Sequence, residues 1–199
     1  MLCYKCKKQL RENANFCSKC GSKVKTYDEL KQEIINKYEQ MRNIHVDERT
    51  NKLIANDLLN LEYKEIHEKT FLLSEKEMDG KCYSRAINQD NIFNIYSDEF
   101  TKICEEYLLY LPKLVEYDRK FYKINGYGNI NRCHGMIKNY IILLGKQENY
   151  ERQSEVIGFL LGLGITDDGT KGGLKARMKN CEENLMKSRT KDKWFKDHQ

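Results

Sequence analysis

Long apolar runs are missing from this sequence. The longest, Val156 to Ile165, has ten residues and is interrupted by Gly158, Gly162 and Gly164. A helix that crosses a bilayer needs about 20 apolar residues, so no membrane segment is expected. The start, Met1-Leu2-Cys3-Tyr4-Lys5, lacks the apolar stretch of a secretory signal, which points to a reducing cytosol. Proline occurs once, at Pro112, and no stretch rich in Gly, Ser or Pro divides the chain near its start. Enzyme fingerprints are lacking as well. There is no Gly-x-x-x-x-Gly-Lys-Ser/Thr phosphate loop, no His-Glu-x-x-His pair, no Gly-x-Ser-x-Gly elbow and no Gly-x-Gly-x-x-Gly turn. His45, His67, His134 and His198 are scattered, and a lone histidine is more often a surface or satisfied core residue than a base. The expectation is therefore a protein that is not an enzyme. The alternative is an active site assembled only by folding, which leaves no spacing to read.

What is present is enough for a packed core. The 199 residues are 40% hydrophobic and 33% charged, which suits one domain of ordinary size plus a small appendage and excludes wholesale disorder. The net charge of +5 is unevenly placed. Residues 1–26 hold seven Lys/Arg and one acid, Glu12, and residues 171–199 hold nine bases and four acids. Between Tyr27 and Leu111, 11 bases face 18 acids. Basic ends on an acidic body read first as a solvated surface, and second as polarity that suits charged partners.

Eight cysteines without an export signal point to metal before disulfides. Four form Cys3-x2-Cys6-x10-Cys17-x2-Cys20, two close pairs joined by a short loop. Each Cys-x-x-Cys turn sets two sulfurs on one side of a tight knuckle, and two knuckles complete a tetrahedron. Gly21, just after the second pair, supplies the positive φ such a turn tends to need. Four sulfurs admit iron as well as zinc, and the knuckle-loop-knuckle layout favours zinc. Cys82, Cys104, Cys133 and Cys181 have no close partner in sequence and read as small buried hydrophobes. Cys133-His134 is the one adjacent Cys/His pair, with a nucleophile or a second metal site as its sharper alternative.

The segment from Cys3 to Gly21 resembles the short zinc-ribbon family found at the N-terminus of many bacterial proteins, which reads Cys-x-x-Cys-Gly, about ten residues, then Phe-Cys-x-x-Cys-Gly. The resemblance implies that Cys3, Cys6, Cys17 and Cys20 hold one zinc ion and that Phe16 is the apolar plug of the small domain. Lys7 stands where the family commonly has glycine. The match covers about the first 25 residues, so a zinc ribbon is expected over 1–25 and a helical domain over 26–199. A head this small has almost no core without metal, which makes a structural staple its first role. Its bases, among them Lys7, Lys8 and Arg11, are the alternative, as contacts to phosphates or to an acidic protein face.

The body reads as helical throughout, a mainly α, bundle-like architecture. Thr26-Tyr27-Asp28-Glu29 is a capping box opening a helix with Leu30, Ile34, Tyr38 and Met41 on one face. A second helix is expected from about Asp47 to Leu73, then only a turn at Ser74–Glu77 before Asp79-Gly80. Residues 81–96 read as helix and loop. Ser97-Asp98-Glu99 starts a clearer helix that Pro112 kinks or ends. A stripe of Cys133, Met136, Ile137, Tyr140, Ile141 and Leu144 stops at Gly145. Val156 to Leu163 is apolar nearly all round and is expected to be the most buried helix, with Gly158 and Gly162 admitting a close neighbour. Asp167 to Gly173 reads as an interhelical turn, with an anion-receiving loop as the alternative. A last helix starts near Gly173 with Leu174, Met178, Cys181 and Leu185 on one face.

Beyond it the tail is basic, and the adjacent rings Trp194 and Phe195 are either a partner's docking anchor or a latch on the body, the latch being favoured. Together these features point to a non-catalytic, zinc-holding protein that acts by occupying a macromolecular partner, a protein or nucleoprotein complex. The concrete form is an inhibitor of a nucleic-acid-handling complex, of the kind phages and mobile elements use against bacterial defence nucleases. The rival reading is direct RNA or DNA binding through Lys7, Lys8, Arg11 and the C-terminal tail.

Overall fold

The computed structural model describes residues 3, 5–6, 8–11, 14–42, 48–87 and 92–197, with backbone alone for 39, 41, 42, 80 and 191–197. Among the described residues there are eight helices and no strand, only two isolated bridges. The helices are α1 Tyr27–Arg42, α2 Glu48–Glu62, α3 Lys64–Gly80, α4 Cys82–Ile87, α5 Ile95–Asn125, α6 Gly135–Lys146, α7 Tyr150–Gly162 and α8 Gly173–Asp197. The body is thus mainly α. None of these helices is long and apolar enough to cross a membrane.

The chain packs into two compact units, Met1–Leu72 with Lys113–Gly128, and Leu73–Pro112 with Asn129–Gln199. Helices α3 and α5 each contribute to both.

The first unit contains the N-terminal head. Its opening helix is capped as its residues require: Glu29 N donates to Thr26 Oγ1 at 3.2 Å and Thr26 N to Glu29 Oε2 at 2.8 Å, so two otherwise unpaired amides serve each other's side chains. Helix α1 packs on α2, where buried Tyr38 donates its hydroxyl to Asp57 Oδ2 at 2.9 Å. Tyr63 forms a turn between α2 and α3, yet its N–H reaches Leu59 O at 3.1 Å and its carbonyl accepts from His67 N at 3.0 Å. The end of α5 returns to this unit and locks against α2. The amides of Asn56 and Asn125 pair at 2.8–2.9 Å, Tyr117 Oη donates to Asn60 Oδ1 at 2.7 Å, and Lys120 reaches Glu62 at 2.7 Å. Gly126, at φ +76°, ends α5, its N–H taking Tyr122 O at 2.7 Å.

The second unit is built around α6, whose Met136, Ile137, Tyr140, Ile141, Leu143 and Leu144 are all buried. Phe100, Cys104 and Leu108 of α5, Val156, Ile157 and Leu160 of α7, and Leu174 and Cys181 of α8 complete its core. Asn94 opens α5: its Oδ1 accepts from Tyr96 N and Ser97 N, while Ser97 Oγ accepts from Asn94 N at 3.0 Å.

Several sequence expectations are corrected here. Ser74–Glu77 is no turn but part of α3, and the helical stretch begun before Leu73 continues to Gly80. Pro112 does not end α5, which runs 31 residues through it. The proline itself stands on the exposed side, and burial of Leu108, Leu111 and Val115 around it outweighs a cost of about 3 kcal/mol. The most buried helix is α6 and not Val156 to Leu163, because α7 leaves Phe159 41% exposed. Gly158 does meet a neighbour, with Met178 Cε 3.4 Å from where a Cβ would sit, but Gly162 faces open space. Cys133 precedes α6 instead of joining its stripe: its N–H donates to Asp167 O at 2.6 Å in a bridge that ties the two loops together.

Candidate metal centre

The head is organised by a very small hairpin. Phe16 and Lys23 pair as an antiparallel bridge, Val24 N donates to Asn15 O at 2.8 Å, and Cys17 N donates to Ser22 O at 2.8 Å. Inside that hairpin the second knuckle closes when Gly21, at φ +68°, donates its N–H to Cys17 O at 2.8 Å. The first knuckle closes through Cys3 N and Lys8 O at 2.9 Å. These turns turn all four thiols inward. Cys3 Sγ lies 3.6 Å from Cys20 Sγ, Cys6 Sγ lies 3.5 Å from Cys17 Sγ, and all four sulfurs fall within 4.8 Å of one another. Cys3 and Cys17 are buried, Cys6 and Cys20 half-buried.

Four sulfurs at tetrahedral corners around an ion with bonds of about 2.3 Å stand about 3.8 Å apart. The observed cluster matches that spacing without any sulfur being bonded to another, since all four cysteines are free. The surroundings favour thiolates at the second knuckle. The amides of Cys20 and Lys19 hold the Cys17 thiol below its ordinary range, with Lys19 N 3.4 Å from the sulfur. Ser22 lies 3.2 Å from Cys20 Sγ and brings it down to about 6. Cys6, although served by the Lys8 amide, is pushed up to about 11 by burial and its three thiol neighbours. Negative charge therefore gathers on the second knuckle first. The four cysteines make a donor set for one metal ion.

Ser22 and the Lys19 amide were not singled out from sequence. Their signal is the Cys-x-x-Cys-Gly-Ser string itself, since an amide two residues after a knuckle cysteine and a hydroxyl two residues after the next are the donors a tight turn presents.

Phe16 is not a plug. It is 64% exposed, because bridge pairing with Lys23 places it on the outer face of a hairpin whose inner face is occupied by sulfur. Of the head's bases, Lys23 and Lys25 bind Glu29 and Glu33 of α1 at 2.8 and 2.5 Å and so fasten the head to the first helix. Lys5, Lys8, Arg11 and Lys19 are exposed and form no ion pair with any described residue. Lys7 lies outside the described residues, as do the side chains of Trp194 and Phe195, whose backbone belongs to the end of α8.

Elsewhere the sequence's sharper alternatives take structural form. Cys133 Sγ touches His134 O, not the imidazole, and burial pushes its thiol up to about 12. The His134 ring instead caps α6, its Nδ1 accepting from Met136 N at 3.4 Å, and stacks on Tyr107. Cys82, Cys104 and Cys181 are buried, with burial raising each thiol. In the Asp167 to Gly173 loop, Asp168 turns inward to an ion pair with Arg177 and accepts from Thr170 N at 3.0 Å. That loop is a built turn, in which Asp167 Oδ1 accepts from Gly169 N at 2.7 Å while Asp168 is held by Arg177. No protein-family model, no curated protein and no solved structure matches this chain, so the likeness of its head to a zinc ribbon rests on the four cysteines and their geometry alone.

Proposed function

We propose that this is a zinc-binding protein without a catalytic role, which acts by holding a macromolecular partner through its basic, metal-stapled head. A set of four thiolates in a knuckle-loop-knuckle arrangement suits zinc better than iron. The ion would be a staple: it has no open coordination position for substrate, and a head of two knuckles and one bridge has too little apolar core to hold its shape alone. The observation that carries the reading is the quartet Lys5, Lys8, Arg11 and Lys19, exposed and without an ion pair to any described residue, on a domain whose geometry the metal would fix. Cations that are not spent on intramolecular pairs are available to an acidic surface and steer its approach. The partner class we favour is a nucleoprotein complex, which this protein would inhibit or regulate.

Exposed Phe16 favours a second reading, direct binding of single-stranded RNA or DNA. An aromatic face beside unpaired cations is the pairing on which bases stack while phosphates are neutralised.

One experiment separates them. The zinc-loaded chain is used to capture partners from a bacterial lysate with and without nuclease, beside the variant Lys8→Glu/Arg11→Glu. Recovery of a nucleoprotein complex that the variant loses supports the first reading. A mobility shift of naked RNA or DNA that weakens steeply with salt, and fails for Phe16→Ala, supports the second. Neither result in either assay removes both.

A further inference from the structure

The first unit contains an open cleft of about 490 Å³ whose walls are α1, α2 and the last turns of α5. Apart from the ring of Tyr27, its apolar lining is aliphatic. Leu59 is buried, while Ala55, Leu58 and Ile124 are only half covered and keep apolar surface in contact with water. Its rim is cationic, with Lys31 from α1 and Lys120 and Lys123 from α5, against one acid, Glu62. Glu62 is already engaged, 2.7 Å from Lys120, and Lys120 also reaches Glu116 at 3.3 Å. Lys31 and Lys123 form no ion pair with any described residue. Lys31 stands out because the stretch from Tyr27 to Leu111 carries 18 acids to 11 bases, so an uncompensated cation there has no shortage of carboxylates to meet.

We infer that this cleft binds a free amphiphile with one anionic head and an aliphatic body, an alkyl carboxylate or alkyl phosphate. The head would sit between Lys31 and Lys123 and the body on Ala55, Leu58 and Ile124. The chemistry of the walls selects against the alternatives. A nucleobase laid on that floor leaves its ring donors and acceptors unpaired, a cationic amphiphile meets two lysines, and a neutral one leaves them unused. The volume lies within the range of about 300–1,000 Å³ that small-molecule sites occupy. This site is separate from the zinc head and does not depend on the function proposed for it.

Calorimetric titration of the zinc-loaded full chain with decanoate tests the inference. Saturable one-to-one binding is expected, shared by decyl phosphate and weaker by about tenfold or more for decyltrimethylammonium and for decanol. Lys31→Glu/Lys123→Glu should weaken decanoate by about tenfold or more, whereas Lys171→Glu, outside the cleft, should not change it. Ala55→Leu, which narrows the floor without touching a charge, should weaken binding while leaving the helical signal intact. Absence of saturable binding, equal affinity for the cationic amphiphile, or indifference to both cleft variants would overturn the proposal. So would sedimentation with phosphatidylglycerol vesicles without binding of free decanoate, which would assign the lysines to a lipid surface.

Discussion

Arg177 closes on Asp168 so that the carboxylate side chain has no solvent exposure while the guanidinium keeps 24% of its own. Burial alone would discharge such an acid, but Arg177 and the Thr170 donors outweigh it and hold Asp168 below the ordinary carboxylate range. Removing the acid strands a largely buried cation, so Asp168→Ala should cost about 3 kcal/mol in urea unfolding. A carboxylate depressed in the folded state contributes stability that is fully present above its unfolded value of about 3.9 and is lost as pH falls through its folded value. The advantage of the natural chain over Asp168→Asn should therefore be constant near neutrality and shrink below about pH 4. An advantage that grew with acid would reverse the sign assigned here.

Elemental analysis of purified protein should find one zinc ion per chain, and Cys17→Ser should lose it. Because the described residues of the head form no helix, far-UV dichroism should change little when zinc is withdrawn by a chelator, while protease cleavage before Tyr27 should accelerate. Zinc retention should also fall with acid, as the thiolates take up protons. Metal-free protein with an equally protected head would contradict the staple.

Much of this was legible in the sequence, and the reasons differ by element. The cluster of four cysteines is local: one turn fixes each pair, and the spacing between pairs is short enough to close without help from the body. The Thr26 and Glu29 box is equally local and formed as read. The misreadings concern what the rest of the fold decides: which face a residue takes and how far a helix runs. Phe16 looked like a plug because it is apolar, yet which face of a hairpin a residue takes depends on bridge register, and here Lys23 is its partner. Pro112 reads as a kink or an end because its local cost is certain, and the helix does not end there because the fold supplies partners that bury the residues on either side of it. Asp168 could not be paired from spacing, since Arg177 lies on another element. The cleft was invisible for the same reason: Lys31, Ala55 and Lys123 are brought together only by the fold.

Two buried tyrosines offer a direct comparison. Tyr140 Oη donates to Glu105, which Arg152 also grips through Nε at 2.8 Å and Nη2 at 2.5 Å. Tyr63 is as deeply buried, and its hydroxyl meets no hydrogen-bond partner among the described residues. Tyr140→Phe should lose about 1 kcal/mol, with Glu105 half-exposed and able to find water. Tyr63→Phe should change stability by less than about 0.5 kcal/mol or raise it, because no hydrogen bond of ordinary geometry offsets the burial of its oxygen, although Lys120 and Glu116 stand near it. Thermal unfolding of the two variants side by side decides this.

Gly173 and Gly162 bound the two ends of the α7–α8 connection and should respond oppositely to alanine. Gly173 sits at φ +57°, and a Cβ there would lie 2.3 Å from Thr166 O, a backbone atom with no freedom to retreat. Gly173→Ala should cost about 3 kcal/mol. At Gly162 a Cβ meets nothing within 4 Å and the residue belongs to α7, so alanine there should gain about 0.5 kcal/mol.

The division of α5 between the units has a consequence for synthesis. The first unit is made of Met1–Leu72 and Lys113–Gly128, so its closing segment leaves the ribosome only after Leu73–Pro112, which belongs to the other unit, has already emerged. Asn56, Asn60 and Glu62 wait for Asn125, Tyr117 and Lys120 across that delay. The nascent chain therefore carries α2 without the partners of its Asn56, Asn60 and Glu62 for some forty residues of elongation, with only α1 packed against it.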